Sequence, residues 1–129
     1  MSIEGIFKEG VVTTTVDAYL AMWNEQDAKR RSALIEQAWT TDGSYLDPAL
    51  EAQGHAALSE MVAQVHERFP GYRFTRTSGI DEHHDFVRFA WELGDGNGTV
   101  AVAGVDVGEL ADDGKLRRIA GFFGELPAA

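Results

Sequence analysis

Apolar residues return every three or four positions through the first half of the chain and every two positions through the second. In VVTTTVDAYLAMWNEQD, the residues Val12, Val16, Tyr19, Leu20 and Trp23 share one helical face. In DAKRRSALIEQAW, Asp27 is a candidate N-cap, and Leu34, Ile35, Ala38 and Trp39 form the apolar stripe of a second helix. TDGSYLDP reads as a short strand or extended arm, with Asp42-Gly43 as its turn signal. GHAALSEMVAQVHERFPG then carries Leu58, Met61, Val62, Val65 and Phe69 at helical spacing, and Pro70-Gly71 ends that helix.

From there YRFTRTSGI, HDFVRFAWEL, GTVAVAGVDVGEL and KLRRIAGFFGEL alternate or are rich in β-formers. Asp95-Gly96-Asn97-Gly98 and Asp112-Asp113-Gly114 fall between them as hairpin turns. Helices first and an antiparallel meander afterwards predict an α+β fold, with the helices on one face of the sheet. Gly104 and Gly121 interrupt two strands, which permits sharp bending or close backbone approach. A strongly curved, mainly antiparallel sheet over three helices makes a cone with a cavity inside.

Alternation also sorts side chains into faces. Val87, Phe89 and Trp91 share the face expected to look toward the helices, opposite Phe86, Arg88, Ala90 and Glu92. Ile119, Gly121 and Phe123 alternate with Arg118, Ala120 and Phe122. Asp106 stands in a row with Val100, Val102 and Gly104, where an ionised, unpaired carboxylate is costly. Either it sits at a strand end beside solvent or an arginine such as Arg118, or it is an acid kept neutral by a dry pocket. Asp47 raises a parallel choice. Proline follows it, so its backbone is extended, and it shares a face with Tyr45. It either starts the turn into Pro48-Ala49-Leu50 or projects into the cone as a base. Tyr19, on the first helix's apolar stripe, is either core with a satisfied hydroxyl or a third polar group in the same cavity.

Composition narrows the setting. With 129 residues, 44% of them hydrophobic, the chain suits one domain over 1–129. A net charge of −10 argues against nucleic acid and anionic membranes as partners. There is no cysteine, which removes disulfides and thiolate chemistry and fits a cytoplasmic location. MSIEGIFKEG is neither basic nor apolar enough for a signal peptide, and no apolar run reaches the roughly 20 residues of a membrane span. His83-His84 is adjacent in a turn, and His55 and His66 lie on one helix without the i, i+4 spacing of metal ligands, so no metal site is expected. GDGNG joins two strands and reads as a hairpin rather than a phosphate cradle.

The order of helices, the YLDP arm, the VRFAWEL strand and the GVDVGELADDGKLRRIAGFFGEL ending resemble the SnoaL-like group of the nuclear transport factor two-like superfamily, from about Val11 to Leu126. The resemblance implies a curved sheet and a cone-shaped pocket. In its polar residues the chain is similar to ketosteroid isomerase. Tyr19 precedes Asp27 as that family's tyrosine precedes an acidic residue, Asp47-Pro48 matches its base, and Asp106 before Gly114 matches its protonated aspartic acid. Phe123 falls on an aromatic near the end of the last strand. The family's supporting tyrosine on the third helix falls here at Met61 or Val62, while Trp39 and Tyr45 add bulk.

The resemblance implies a catalytic set of Asp47, Asp106 and Tyr19, with no metal or cofactor. Val16, Trp23, Trp39, Tyr45, Met61, Phe89, Trp91, Val102 and Phe123 are the expected substrate-binding lining. Asp47 would take a proton next to a carbonyl, while Tyr19 and neutral Asp106 donate to the enolate oxygen. The expected ligand is a small hydrophobic molecule, such as a ketone or a steroid- or polyketide-like compound. Isomerisation or SnoaL-type cyclisation would follow. The alternatives are a non-enzymatic binder of a small hydrophobic ligand and a dimeric interaction module. A homodimer through the sheet, with Phe86 and Phe122 at the contact, is the expected assembly. An arginine-based hydrolase role for Arg88 is disfavoured by its outward face and by Ala90 where an aspartate would stand.

Overall fold

The computed structural model describes the backbone from residue 3 and the side chains from residue 10 to residue 129. The reading of the first ten residues as unlike a leader therefore lies mostly outside the described side chains. Helix α1 spans Ile3–Asn24, α2 Ala28–Ala38 and α3 His55–Arg68. The strands are β1 Trp39–Leu46, β2 Glu51–Gln53, β3 Arg73–Arg76, β4 Asp81–His83, β5 Phe86–Gly94, β6 Val100–Leu110 and β7 Leu116–Phe123. They form one curved mixed sheet in the order β2-β1-β7-β6-β5-β3, with β4 pairing the first part of β5. Only β1 and β7 run parallel; the other pairs are antiparallel. Three helices on one face of this sheet make the expected α+β cone.

The helix stripes enter the core as their spacing requires. Val12, Val16, Tyr19, Met22 and Trp23 of α1 are buried, as are Ile35 and Ala38 of α2 and Leu58, Met61, Val62 and Val65 of α3. Asp27 caps α2 by accepting from the Arg30 backbone N–H at 3.0 Å. Such a cap contributes about 1 kcal/mol, whereas each fully buried Ile, Leu or Val contributes about 1.5–3 kcal/mol. Packing, not capping, therefore holds α2 in place. Arg31 is buried within α2 because its guanidinium is satisfied, donating to Ser59 Oγ at 2.9 Å and to the Glu25 carbonyl at 2.7 Å. No helix among the described residues is long and apolar enough to cross a membrane.

Two local expectations are corrected. Trp39 opens β1 rather than closing α2, and β1 continues through Asp42-Gly43 instead of turning there. The physical reason is an irregularity between Trp39 and Ser44 in the pairing with β7. It folds the Trp39 ring over Gly43, where a Cβ would lie 2.5 Å from Trp39 Cε3. The glycine is needed for that contact, not for a turn. The short strand β4, reached through SGI and closed by His84 at φ 52°, was not anticipated. The hairpins at Asp95–Gly98 and Asp112–Gly114 form as expected; Asp95 Oδ1 accepts from the Asn97 and Thr99 N–H groups at 2.7 and 3.0 Å.

The predicted faces hold along the sheet. Val87, Phe89, Trp91 and Leu93 are buried, and Phe86 and Phe122 are exposed on the outer face. Asp106 lies in the middle of β6, opposite Phe89 on one side and Gly121 on the other, so the strand-end alternative for it is excluded.

Candidate active site

An apolar hollow of about 240 Å³ opens between α1, α3, the arm after β1 and the inner face of the sheet. Five aromatic rings line part of it as a connected belt. Trp23 meets Tyr45 at 5.2 Å and Phe74 at 5.0 Å between centroids, Phe74 meets Trp91 at 5.6 Å, and Trp91 meets Phe123 at 5.9 Å. Asn24 ties this belt to the helix, donating to the Phe74 carbonyl at 2.9 Å and accepting from its N–H at 2.8 Å. A wider surface depression of about 490 Å³, near Val12, Arg76 and Glu82, lies apart from this belt.

Asp47 is half-buried in the wall of the hollow and held from three sides. The Tyr45 hydroxyl donates to its Oδ2 at 2.6 Å, and the Ala49 and Leu50 N–H groups donate to its Oδ1 at 2.8 Å each. Asp47 closes the turn into Pro48-Ala49-Leu50 with one oxygen and also lines the hollow. With both Oδ1 acceptor positions taken by backbone donors, the remaining lone pair is on Oδ2. The Tyr45 phenol is pushed far above its ordinary value, first by burial and then by the nearby Asp106 and Asp47 carboxylates. It stays a donor at every physiological pH.

Asp106 is 3% exposed and makes a second acid–phenol pair. The Tyr19 hydroxyl donates to its Oδ2 at 2.7 Å and the Trp91 indole N–H to its Oδ1 at 3.0 Å. Burial pushes this carboxyl up to about 6. The Tyr19 and Trp91 hydrogen bonds work against that rise, and the Asp47 charge adds to it. The Tyr19 hydroxyl is raised well above its ordinary value, chiefly by burial and next by the Asp106 carboxylate.

The two pairs meet over Gly121. A Cβ there would lie 2.9 Å from Asp106 Oδ1, 3.1 Å from Asp47 Cβ and 3.2 Å from the Tyr45 oxygen. Glycine lets the two acids approach this closely; a side chain there would crowd both.

The expected site residues divide into two layers. Trp23, Tyr45, Asp47, Trp91, Val102 and Phe123 line the hollow. Tyr19, Asp106, Val16, Trp39, Met61 and Phe89 are buried outside its wall. Trp39 donates its indole N–H to Met22 Sδ at 3.3 Å and packs edge-on against Tyr19, so it supports the phenol from behind. Sequence reasoning passed over Leu50, Val65, Arg68, Phe69, Phe74 and Leu93, all of which line the hollow. Val65 and Phe69 belong to the α3 stripe, and Phe74 follows Tyr72 in alternation. Arg68, one residue before Phe69, carried no sequence signal. Among the described residues no cluster of His, Asp and Glu is placed to hold a metal ion.

The SnoaL-like domain pattern matches residues 16–119. The chain belongs to the SnoaL-like family. A SnoaL-like protein from Agrobacterium tumefaciens, provisionally assigned as an isomerase, is 34% identical, with a TM-score of 0.83 over 90% of this chain and 99% of that one. More distant SnoaL-like and related folds share the architecture alone. A Catenulispora acidiphila protein with a ketosteroid isomerase-like fold, solved with trimethylamine, is 17% identical, with a TM-score of 0.68 over 85% of each chain. A SnoaL-like protein from Jannaschia, provisionally assigned as a polyketide cyclase, is 18% identical, with a TM-score of 0.64 over 86% of this chain and 85% of that one. No curated protein matches the chain in sequence.

Proposed function

We propose that this SnoaL-like protein abstracts a proton next to the carbonyl of a small hydrophobic ketone, with Asp47 as the base. The carrying observation is Asp47 in the wall of an apolar hollow, with the second acid–phenol pair behind it across Gly121. Asp47 Oδ2 has a lone pair to take the proton, and the Tyr45 hydroxyl holds that oxygen in place. The developing enolate oxygen needs a donor. We assign that donor to Asp106 in its neutral form, the acid on the far side of Gly121 from Asp47. Tyr19 and Trp91 fix that carboxyl from behind. The proton then returns to the substrate at a different carbon, which is isomerisation, or the enolate carbon attacks a second carbonyl, which is cyclisation. Both routes balance with no further reactant. The provisional isomerase and cyclase assignments of the relatives agree with this reading. A hollow of about 240 Å³ lies below the roughly 300–1,000 Å³ of drug-sized sites, so one or two rings fit it better than four.

The test is deuterium exchange into a β,γ-unsaturated cyclohexenone, followed by NMR together with its conversion to the conjugated isomer. Asp47→Asn should remove both. Exchange that persists in the variant would end the base assignment. The satisfied Tyr19–Asp106–Trp91 cluster, lying outside the wall, favours a second reading: a binder that uses Asp106 only to hold its fold. Tight phenol binding without exchange of any ketone by the unaltered protein would select it.

A further inference from the structure

The hollow's lining holds two charged residues, Asp47 and Arg68. Most arginines of this chain are engaged. Arg30 pairs with Glu25 and Asp27, Arg88 with Asp81 and Arg117 with Glu109, while Arg31 and Arg76 donate to carbonyl or hydroxyl oxygens. The Arg68 side chain is exposed, makes no hydrogen bond or ion pair with any described residue, and lines one side of an otherwise mainly apolar hollow. Arg73 and Arg118 are likewise exposed and unpaired with any described residue, but neither lines the hollow; Arg68 alone of these three does.

We propose that Arg68 selects ligands bearing a carboxylate, so that the substrate class of this site is a small cyclic or aromatic-sized keto acid. Guanidinium and carboxylate are planar and match two-to-two in their hydrogen bonds. Asp47 repels the same group, so the two charges orient the ligand: its carboxylate toward Arg68 and its ketone end toward Asp47. A phosphate dianion suits the site less, because Asp47 and the acidic chain oppose the second charge. The aromatic belt of Trp23, Phe74, Trp91 and Phe123 takes the ring between the two ends. This inference rests on the hollow being the ligand site, as proposed above, and not on Asp47 being a base.

The test is titration of the full chain with a cyclohexanone carboxylate and, separately, with its methyl ester. Calorimetry gives the affinities, and the Trp23 and Trp91 indole N–H signals locate binding. The acid should bind about tenfold more tightly than the ester at low salt, the scale of one charge-assisted contact, and added salt should shrink that preference. Arg68→Gln should abolish the preference and leave the ester's affinity as it was; Arg68→Lys should keep part of it. Asp47→Asn should bind the acid at least as tightly as the unaltered protein, so a failed base assignment leaves this result standing. Equal binding of acid and ester, an equal loss of both in Arg68→Gln, or no binding of either would overturn the proposal.

Discussion

Asp106→Asn tests the protonation that the proposed chemistry needs. In the folded chain the Asp106 carboxyl is pushed up to about 6, against about 3.9 for an ordinary aspartate. A carboxyl raised by folding binds its proton more strongly in the native than in the unfolded state. Its stabilising contribution is therefore complete below about pH 4 and is lost as pH rises through about 6. In full the contribution is about 3 kcal/mol; about 1.4 kcal/mol of it remains at pH 5 and almost none at pH 7.5. Asparagine cannot ionise, so the variant lacks this dependence. It also leaves Tyr19 or Trp91 without an acceptor, a cost of about 1–3 kcal/mol that does not vary with pH. Urea unfolding of both proteins at pH 5, 6 and 7.5 isolates the difference, because every other group titrates alike in both. The stability of the unaltered protein relative to the variant should fall by about 1.4 kcal/mol from pH 5 to pH 7.5. A flat difference, or one that rises, refutes the claim that burial dominates over the two donors at Asp106. The same proton governs catalysis in the proposed mechanism, so kcat/KM should decline as pH rises through about 6.

Two further outcomes probe the close approach at Gly121 and the base. Gly121→Ala places a methyl 2.9 Å from Asp106 Oδ1 and 3.2 Å from the Tyr45 oxygen; it should cost about 1–3 kcal/mol in unfolding and suppress ketone exchange. Tyr45→Phe removes the 2.6 Å donor from Asp47. Asp47 then loses a partner, so stability should fall by about 1–2 kcal/mol in urea unfolding and ketone exchange should slow. Ketone exchange that keeps its full rate would show that Tyr45 does not act on the base.

Sequence and structure part company along a physical line. The α1 stripe at Val12, Val16, Tyr19 and Trp23, and the alternation at Val87, Phe89 and Trp91, were legible because burial repeats with the period of the element that carries it. The positions of Asp47 and Asp106 were legible as exceptions within those patterns. The hairpins at Asp95–Gly98 and Asp112–Gly114 were legible because their backbones need glycine at positive φ. Gly43 shows the limit. The same residue that signals a turn in a sequence here admits the Trp39 ring, and only the pairing of β1 with β7 distinguishes the two uses.

By itself, then, the sequence determined the element order, the inward faces and the two acids set among apolar neighbours, all of which follow from local periodicity. Tertiary structure alone decided which phenol serves which acid: Tyr45 to Asp47 across two residues, and Tyr19 to Asp106 across 87. It also decided that Tyr19, Phe89 and Trp39 stand behind the hollow's wall while Arg68 stands in it. Those outcomes depend on where a curved sheet meets three helices. That meeting is set by packing between residues far apart in the chain, and no local pattern encodes it.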